Sequence, residues 1–236
     1  MRDRRFHDRR EAGRVLAGML DRYRDRSDLL VLGLPRGGVP VAFEVAEALN
    51  APLEVLMVRK LGVPGHEELA FGAVATGGIM VVDAGVLSGF GVDGEELDRI
   101  AERERAELDR RERAYRGDRE PPRLRDKTVL LVDDGLATGS TMKAAIRAAR
   151  ATEPAWLAVA VPTAPAGTCE ELARLVDDLV CASNPEPFTA VGQSYREFEQ
   201  TGDDEVRELL GLGPAGFGPG WSDESQLPSH GRGLAS

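Results

Sequence analysis

The chain has 236 residues, 42% of them hydrophobic, which is enough for one substantial folded domain with additional elements. Its formal net charge is −10 and aromatics make up 5%, so it has neither the basic footprint nor the base-stacking platform of a general nucleic-acid binder. No apolar run is long enough to span a membrane, and the opening "MRDRRFHDRR" lacks the apolar core of a signal peptide. The two cysteines, Cys169 and Cys181, have no metal-ligand spacing, so a reduced, cytoplasmic chain is expected.

In chain order, helix and strand signals alternate. Ala12, Val15, Leu16, Met19 and Tyr23 mark an amphipathic first helix. "DLLVLGLP" (28–35) reads as a buried strand ending in a Gly-Pro turn, and Val41, Val45, Ala48 and Leu49 line the next helix, with Pro40 in its first turn. "LEVLMV" (53–58) is the second strand. "LAFGAVA" and "IMVVD" flank Gly77-Gly78 as a hairpin. A charged helix follows over about 94–117, opened by Asp93 with Glu96 three residues on. The apolar run 129–132 is a further strand, followed by a helix on Met142, Ala145, Ile146 and Ala149. "AWLAVAVP" (155–162), a helix capped by Thr168 and Glu171, and the core strand "DLVCA" complete the pattern. Strands separated by helices give an α/β fold with a doubly wound, mostly parallel sheet.

Two stretches carry composition more than chemistry. The charged helix is rich in i, i+4 pairs such as Glu95–Arg99, Glu107–Arg111 and Asp109–Arg113, which suits a solvated element. The other reading of its apolar positions, Leu97, Ala101, Leu108 and Tyr115, is a subunit contact in a homodimer. Residues 211–236 are a Gly/Pro/Ser-rich tail expected to be disordered, which leaves 1–210 as the domain. Cys169 shares the apolar side of its helix with Leu172, Leu175 and Val176, a structural position for a free thiol.

The chemistry concentrates in "VLLVDDGLATGSTMKAA" (129–145), where a buried strand runs into two carboxylates, a small-residue turn and a helix. In an open α/β sheet this edge is where ligands bind. A dinucleotide Gly-x-Gly-x-x-Gly turn has no room for two leading acids, and a Walker loop is excluded because no Lys precedes Ser140 or Thr141. Two acids after a strand also serve as a turn or helix cap, a reading that the following "ATGST" disfavours.

"VLLVDDGLATGST" resembles the phosphoribosyl-pyrophosphate (PRPP) signature of type I phosphoribosyltransferases. From about residue 6 to 210 the chain is similar to a bacterial and archaeal phosphoribosyltransferase family through "LGLPRGGVPVA", "VRKLGVPGHEELAFGAV", "RAYRG" and "FTAVGQSYREF". The resemblance implies a parallel sheet with helices on both faces and a small hood. It also implies Mg²⁺ as cofactor, with PRPP and a small-molecule acceptor as partners, and leaves that acceptor unnamed.

It assigns roles residue by residue. Ala137, Thr138, Gly139, Ser140 and Thr141 would hold the 5′-phosphate, as the free N–H groups and positive end of a helix can. Asp133 and Asp134 would take the ribose hydroxyls, directly or through Mg²⁺. Arg36, Gly37 and Gly38 would form the pyrophosphate loop, the two glycines supplying unusual backbone geometry. Arg59 and Lys60 would be the catalytic cations that neutralise departing pyrophosphate. Within the loop and hairpin of 59–83, the run Leu61–Glu68 reads as a mobile cover containing His66. Phe188 is the candidate for stacking on a base. Two departures stand out: Gly135 replaces an aliphatic residue, which predicts a more flexible turn, and Ala137 stands where 6-oxopurine enzymes carry an Asp. The activity implied is transfer of phosphoribosyl to a nitrogen acceptor. The alternative is a PRPP-sensing regulator that has lost transfer.

Overall fold

The computed structural model describes residues 4–63, 66–90, 94–117 and 119–212. Helix α1 (Arg9–Ala17) is capped by Asp8, whose side chain accepts from the Glu11 N–H at 2.7 Å. It ends earlier than its apolar spacing suggests, and Leu20 and Tyr23 reach the core from the turn that follows. Strand β1 (Leu29–Gly33) leads to α2 (Gly38–Leu49), which ends at Asn50 in the left-handed region. The stretch read as one second strand divides. Leu53–Val55 is β2, and Val58–Val63 is β3 of a separate sheet. Between them Leu56 N–H still reaches Gly33 O (3.1 Å), while Met57 N–H turns to Thr76 Oγ1 (2.9 Å).

Strand β4 (His66–Ala75) and β5 (Ile79–Val82) follow, then α3 (Ala84–Phe90) and α4 (Gly94–Arg116). The remaining elements are β6 (Thr128–Val132), α5 (Ser140–Arg150), β7 (Trp156–Thr163), α6 (Ala166–Ala173), β8 (Asp178–Ser183) and α7 (Asp203–Leu209). The sequence reading contains neither α3 nor α7, both only seven residues long. Among the described residues no helix is long and apolar enough to cross a membrane.

Five strands form an all-parallel sheet in the order β2-β1-β6-β7-β8. Alternate residues of each strand enter different cores. Val31, Leu130 and Ala158 pack against α1 and α2 through Leu16, Val41 and Val45. Leu32, Leu131 and Val159 pack against α5 through Met142, Ala145 and Ile146. Burial on both faces is why these strands read as continuous apolar runs.

The small hood is the antiparallel sheet β3-β4-β5, turned at Gly77 and Gly78 with φ of 77° and 75°. Leu61, Val63, Phe71 and Val74 form a third core with Leu108 and Tyr115 of α4 and Val206 of α7. Thus the apolar positions Leu97, Ala101, Leu108 and Tyr115 face their own domain, which corrects their reading as a subunit contact. Of the expected ion pairs Glu107–Arg111 forms at 2.7 Å, whereas Arg99 turns to Glu96 at 3.9 Å. Leu61–Val63 and His66–Glu68 are paired strand ends rather than an open loop, with Val63 opposite His66. Pro64 and Gly65, the cap residue Asp93 and the tail from residue 213 lie outside the described residues.

Candidate active site

The site grows from the aligned carboxyl ends of β1 and β6, where Gly33 pairs with Val132. Leu34 N–H extends that register to Val132 O (2.9 Å), so the loops after the two strands leave the sheet side by side. Gly37 has ordinary helical angles (φ −59°, ψ −30°), and the unusual backbone geometry expected of this loop lies instead at the cis Pro35–Arg36 peptide bond. What the glycines supply is space. A Cβ on Gly37 would stand 2.1 Å from Asp134 Oδ2, and one on Gly38 would stand 2.8 Å from Val132 O. The "PRGG" turn is pressed directly onto the acid pair.

Asp133 and Asp134 are half-buried at the end of β6. Burial pushes the Asp133 carboxyl well above its ordinary range, and the neighbouring Asp134 charge adds to the effect. Burial raises Asp134 as well, against the Arg9 guanidinium, whose Nε lies 2.8 Å from Asp134 Oδ2. Arg9 also donates to Glu199 O (2.6 Å) and lies over the Phe198 ring, 4.0 Å from its centroid. Tyr195 donates its hydroxyl to Asp134 O. The acids are therefore held from outside the sheet by α1 and the segment 195–199.

No third His, Cys, Asp or Glu closes a metal cage here among the described residues. Asp133 Oδ1 accepts the Asp134 N–H at 2.9 Å and Asp134 Oδ2 accepts from Arg9, so Asp133 Oδ2 and Asp134 Oδ1 are the oxygens left for a ligand. One or two carboxylates completed by ligand and water oxygens is how Mg²⁺ is ordinarily bound, so the donor set fits that ion.

Beyond the acids, Gly139 (φ 69°, ψ 7°) starts α5 without a side-chain cap. In its first turn the Ser140 N–H reaches Thr138 Oγ1 at 3.4 Å, the N–H groups that follow are those a helix end leaves without an intrahelical partner, and Thr138 and Ser140 set their hydroxyls 2.9 Å apart beside them. Ala137, Thr138, Ser140 and Thr141 are exposed. Thr168 does not cap α6, which begins at Ala166; its hydroxyl donates instead to Ala137 O at 3.0 Å and braces this loop. Gly135 is buried at φ 154°, where a Cβ would meet Val191 Cγ1 at 2.6 Å and Thr163 Cγ2 at 2.7 Å. The turn is tightly packed there, not loosened.

Two adjoining cavities open over this edge, and Val58, Arg59 and Thr141 line both. The smaller, about 340 Å³, is bordered by Arg36, Arg110, Arg111, Tyr115 and Asp203. Arg36 lies 3.5 Å from Asp203, which also accepts the Tyr115 hydroxyl. The larger, about 640 Å³, extends past Lys60 toward α4. Arg59 and Lys60 sit within β3, not after a strand, and Arg59 Nε donates to Glu104 Oε2 of α4 at 2.6 Å. Phe188 is half-buried and lines neither cavity. His66 belongs to the hairpin backbone, and its side chain lies outside the description. The sequence reading missed Arg9, Glu104, Thr168, Tyr195 and Asp203. Tyr195 and Tyr115 do fall within quoted pieces, "FTAVGQSYREF" and "RAYRG", but Arg9 is one of several arginines in a charged amino-terminal run.

A family model described as the phosphoribosyl transferase domain matches residues 6–189. The chain belongs to this family. Over 205 residues it is 47% identical to the Mycobacterium tuberculosis proteins Rv0571c (strain H37Rv) and MT0597 (strain CDC 1551), both named as candidate phosphoribosyl transferases. That match covers 87% of this chain and 46% of theirs, so the chain spans about half the length of the curated relatives it matches. Among solved structures it is similar to TT1426 from Thermus thermophilus, with 41% identity and a TM-score of 0.80. The likeness covers 87% of this chain and 97% of that one. The fold is that of the type I phosphoribosyltransferases.

Proposed function

We propose that the chain binds PRPP with Mg²⁺ and transfers its phosphoribosyl group to a nitrogen acceptor, releasing pyrophosphate. The observation that carries this reading is the contact between the two loops, because Gly37 and Gly38 leave no space even for a methyl group above Asp133 and Asp134. Such a joint holds a sugar between its hydroxyl acceptors on one side and its leaving group on the other.

In this reading the first turn of α5 and the hydroxyls of Thr138, Ser140 and Thr141 take the 5′-phosphate. Asp133 and Asp134 accept the ribose hydroxyls, and both would hold Mg²⁺. When bound, that ion supplies positive charge beside the pyrophosphate oxygens. Backbone N–H groups of Arg36 and Gly37 face pyrophosphate, with Gly38 closing the turn through its own N–H to Leu34 O at 3.0 Å, and Arg59 and Lys60 stabilise the charge that grows on it. The protein's contribution is thus position and electrostatics. The unpaired thiols of Cys169 and Cys181 suit a reducing, cytoplasmic setting.

A PRPP-sensing regulator has one observation in its favour: Arg59 is engaged by Glu104 instead of being turned toward a leaving group. Calorimetry and a pyrophosphate-release assay over a panel of nucleobases and amines test both readings. PRPP binding should require Mg²⁺ and weaken in Asp133→Asn/Asp134→Asn by about 1.5–3 kcal/mol per charged hydrogen bond lost. Unchanged affinity in that variant refutes the assignment of the acids. Tight binding with no acceptor-dependent release favours the regulator.

A further inference from the structure

Cys169 and Cys181, the two cysteines of the chain, take no part in the proposed transfer, yet the fold sets them side by side. Cys169 lies in α6 and Cys181 in β8, the last strand of the parallel sheet. Asn184, just past β8, places its Nδ2 3.4 Å from each sulfur and is itself anchored by donating to Ala164 O at 2.9 Å. The two thiols also share a hydrogen bond, and Ser183 O, 3.2 Å from Cys181 Sγ, is a second acceptor for Cys181. Both cysteines are only half-buried, and Leu172 is the one buried residue of α6, so small solutes reach this edge.

The pair is unequal. The hydrogen bond with Cys181 lowers the Cys169 thiol to about 7 against the opposing effect of burial, with Asn184 assisting, whereas the same bond and burial push Cys181 up. A thiolate beside a protonated thiol is the arrangement in which one sulfur attacks an oxidant and the other resolves the product. The same helix also touches the loop beyond the acids. Thr168, next to Cys169, donates its hydroxyl to Ala137 O at 3.0 Å. A Cβ on Gly139 would meet Thr168 Cγ2 at 2.9 Å and Leu172 Cδ1 at 3.5 Å, so α6 is packed closely on this loop. Lys143 of α5 pairs with Glu171 of α6 at 2.5 Å.

We propose that Cys169 and Cys181 form a dithiol oxidised reversibly by peroxides, and that its disulfide loosens the 137–141 loop through α6. The effect on a phosphate ligand rests on the PRPP reading, and the disulfide does not. The Cys169 thiolate attacks a peroxide oxygen, the O–O bond breaks, and Cys169 becomes a sulfenic acid as hydroxide leaves and takes up a proton as water. Cys181 sulfur then attacks Cys169 sulfur, the S–O bond breaks, the S–S bond forms and a second water departs with the Cys181 proton. Two thiols are oxidised by two electrons and hydrogen peroxide is reduced to two waters. Exchange with a dithiol reverses the step. Sulfurs in contact stand roughly 3.5–4 Å apart and a disulfide holds them at about 2.05 Å, so closure draws them together by more than about 1 Å. Helix α6 follows toward β8, and Thr168 is drawn off Ala137 O.

The test treats the reduced full chain with hydrogen peroxide and digests it without reductant. Mass spectrometry should find Cys169 and Cys181 joined within single molecules and released by dithiothreitol. In Cys181→Ser, Cys169 should stop at the sulfenic acid, trapped by dimedone, and in Cys169→Ser, Cys181 should stay a thiol. Alanine variants, checked by thermal melting, replace any serine variant that fails to fold. Amides across 136–141 should exchange about fivefold or more faster in the oxidised chain, and calorimetry should show ribose 5-phosphate binding it about fivefold or more weakly. A reduced chain that does not bind ribose 5-phosphate would refute the phosphate reading of the loop alone, because exchange still reports the coupling. The proposal is overturned if the sulfurs do not join or join only between molecules. It is equally overturned if Cys181 oxidises in Cys169→Ser as fast as Cys169 does in Cys181→Ser. Unchanged exchange on oxidation, or unchanged affinity where the reduced chain binds ribose 5-phosphate, would also overturn it.

Discussion

Gly37→Ala probes the joint on which the site depends. Its methyl carbon would lie 2.1 Å from Asp134 Oδ2, 2.7 Å from Asp134 Cγ and 3.2 Å from Arg9 Nε. Ordinary contact needs roughly 3.5 Å, so the carboxylate must retreat by about 1 Å or more. It then cannot keep its 2.8 Å bond to Arg9. Losing a charge-assisted hydrogen bond costs about 1.5–3 kcal/mol, and overpacking a tight site costs about 1–3 kcal/mol. The two overlap, because the movement that relieves one causes the other, so a total of about 2–4 kcal/mol is expected. For a chain of this size that lowers the melting temperature by about 5–15 °C. Asp134→Ala removes the obstructing atoms. The double variant should therefore be more stable than the summed single losses predict, by about 1 kcal/mol or more. Thermal and urea denaturation of the four proteins gives the comparison, with PRPP calorimetry as a second readout. Additive losses would show that Gly37 and Asp134 do not press on each other, and the loop-on-loop account of the site would fail.

Replacing Arg59 and Lys60 together with Met should cut turnover by about 10²–10³ for each donor lost, with a much smaller loss of PRPP affinity. Equal losses in calorimetry and pyrophosphate release would make the two residues substrate holders. At Cys169, the hydrogen bond with Cys181 lowers the thiol to about 7 against the opposing effect of burial, while Cys181 is pushed up. Lowering the value enlarges the thiolate fraction above neutrality, so alkylation of Cys169 by iodoacetamide should rise through about pH 7 and then level off. Mass spectrometry should find Cys181 slow throughout, and a Cys169 rate still climbing about two pH units higher would refute the assignment.

How much of this was legible in the sequence follows from how local each feature is. The parallel sheet could be read because β1, β6 and β7 are buried on both faces, which leaves uninterrupted apolar runs. The acid-and-loop element could be read because its strand, acids, turn and helix are consecutive. The division of 53–58 into β2 and β3 could not, because Leu56 and Met57 are as apolar as strand residues. Only their long-range bonds, to Gly33 and Thr76, show that the chain changes sheets there. The role of α4 was hidden for a related reason. Its mostly charged composition suits a solvated helix, while the few apolar residues that dock it, Ala101, Leu108 and Tyr115, are seven apart and easily outvoted. Arg9 and Glu104 reach the site from 125 and 45 residues away, distances over which composition carries no information.

The first of those long-range partners, Arg9, also bears on the electrostatic state of the free site. Burial raises the carboxyl groups of both Asp133 and Asp134, the Asp134 charge adds to the effect at Asp133, and the Arg9 guanidinium opposes it at both. A carboxyl raised above its unfolded value takes up a proton more readily in the fold than in the unfolded chain. Protonation at low pH therefore favours the folded state, and ionisation as pH rises through the raised range works against it. At neutral pH the acid pair is a cost to the folded protein, and Arg9 offsets only part of it. Hydroxyl donors and a divalent cation arriving with a sugar diphosphate would relieve the remainder. In the proposed PRPP reading, the preference of the site for such a ligand would follow from the burial that raises its acids, with Arg9 holding Asp134 in place through its 2.8 Å bond.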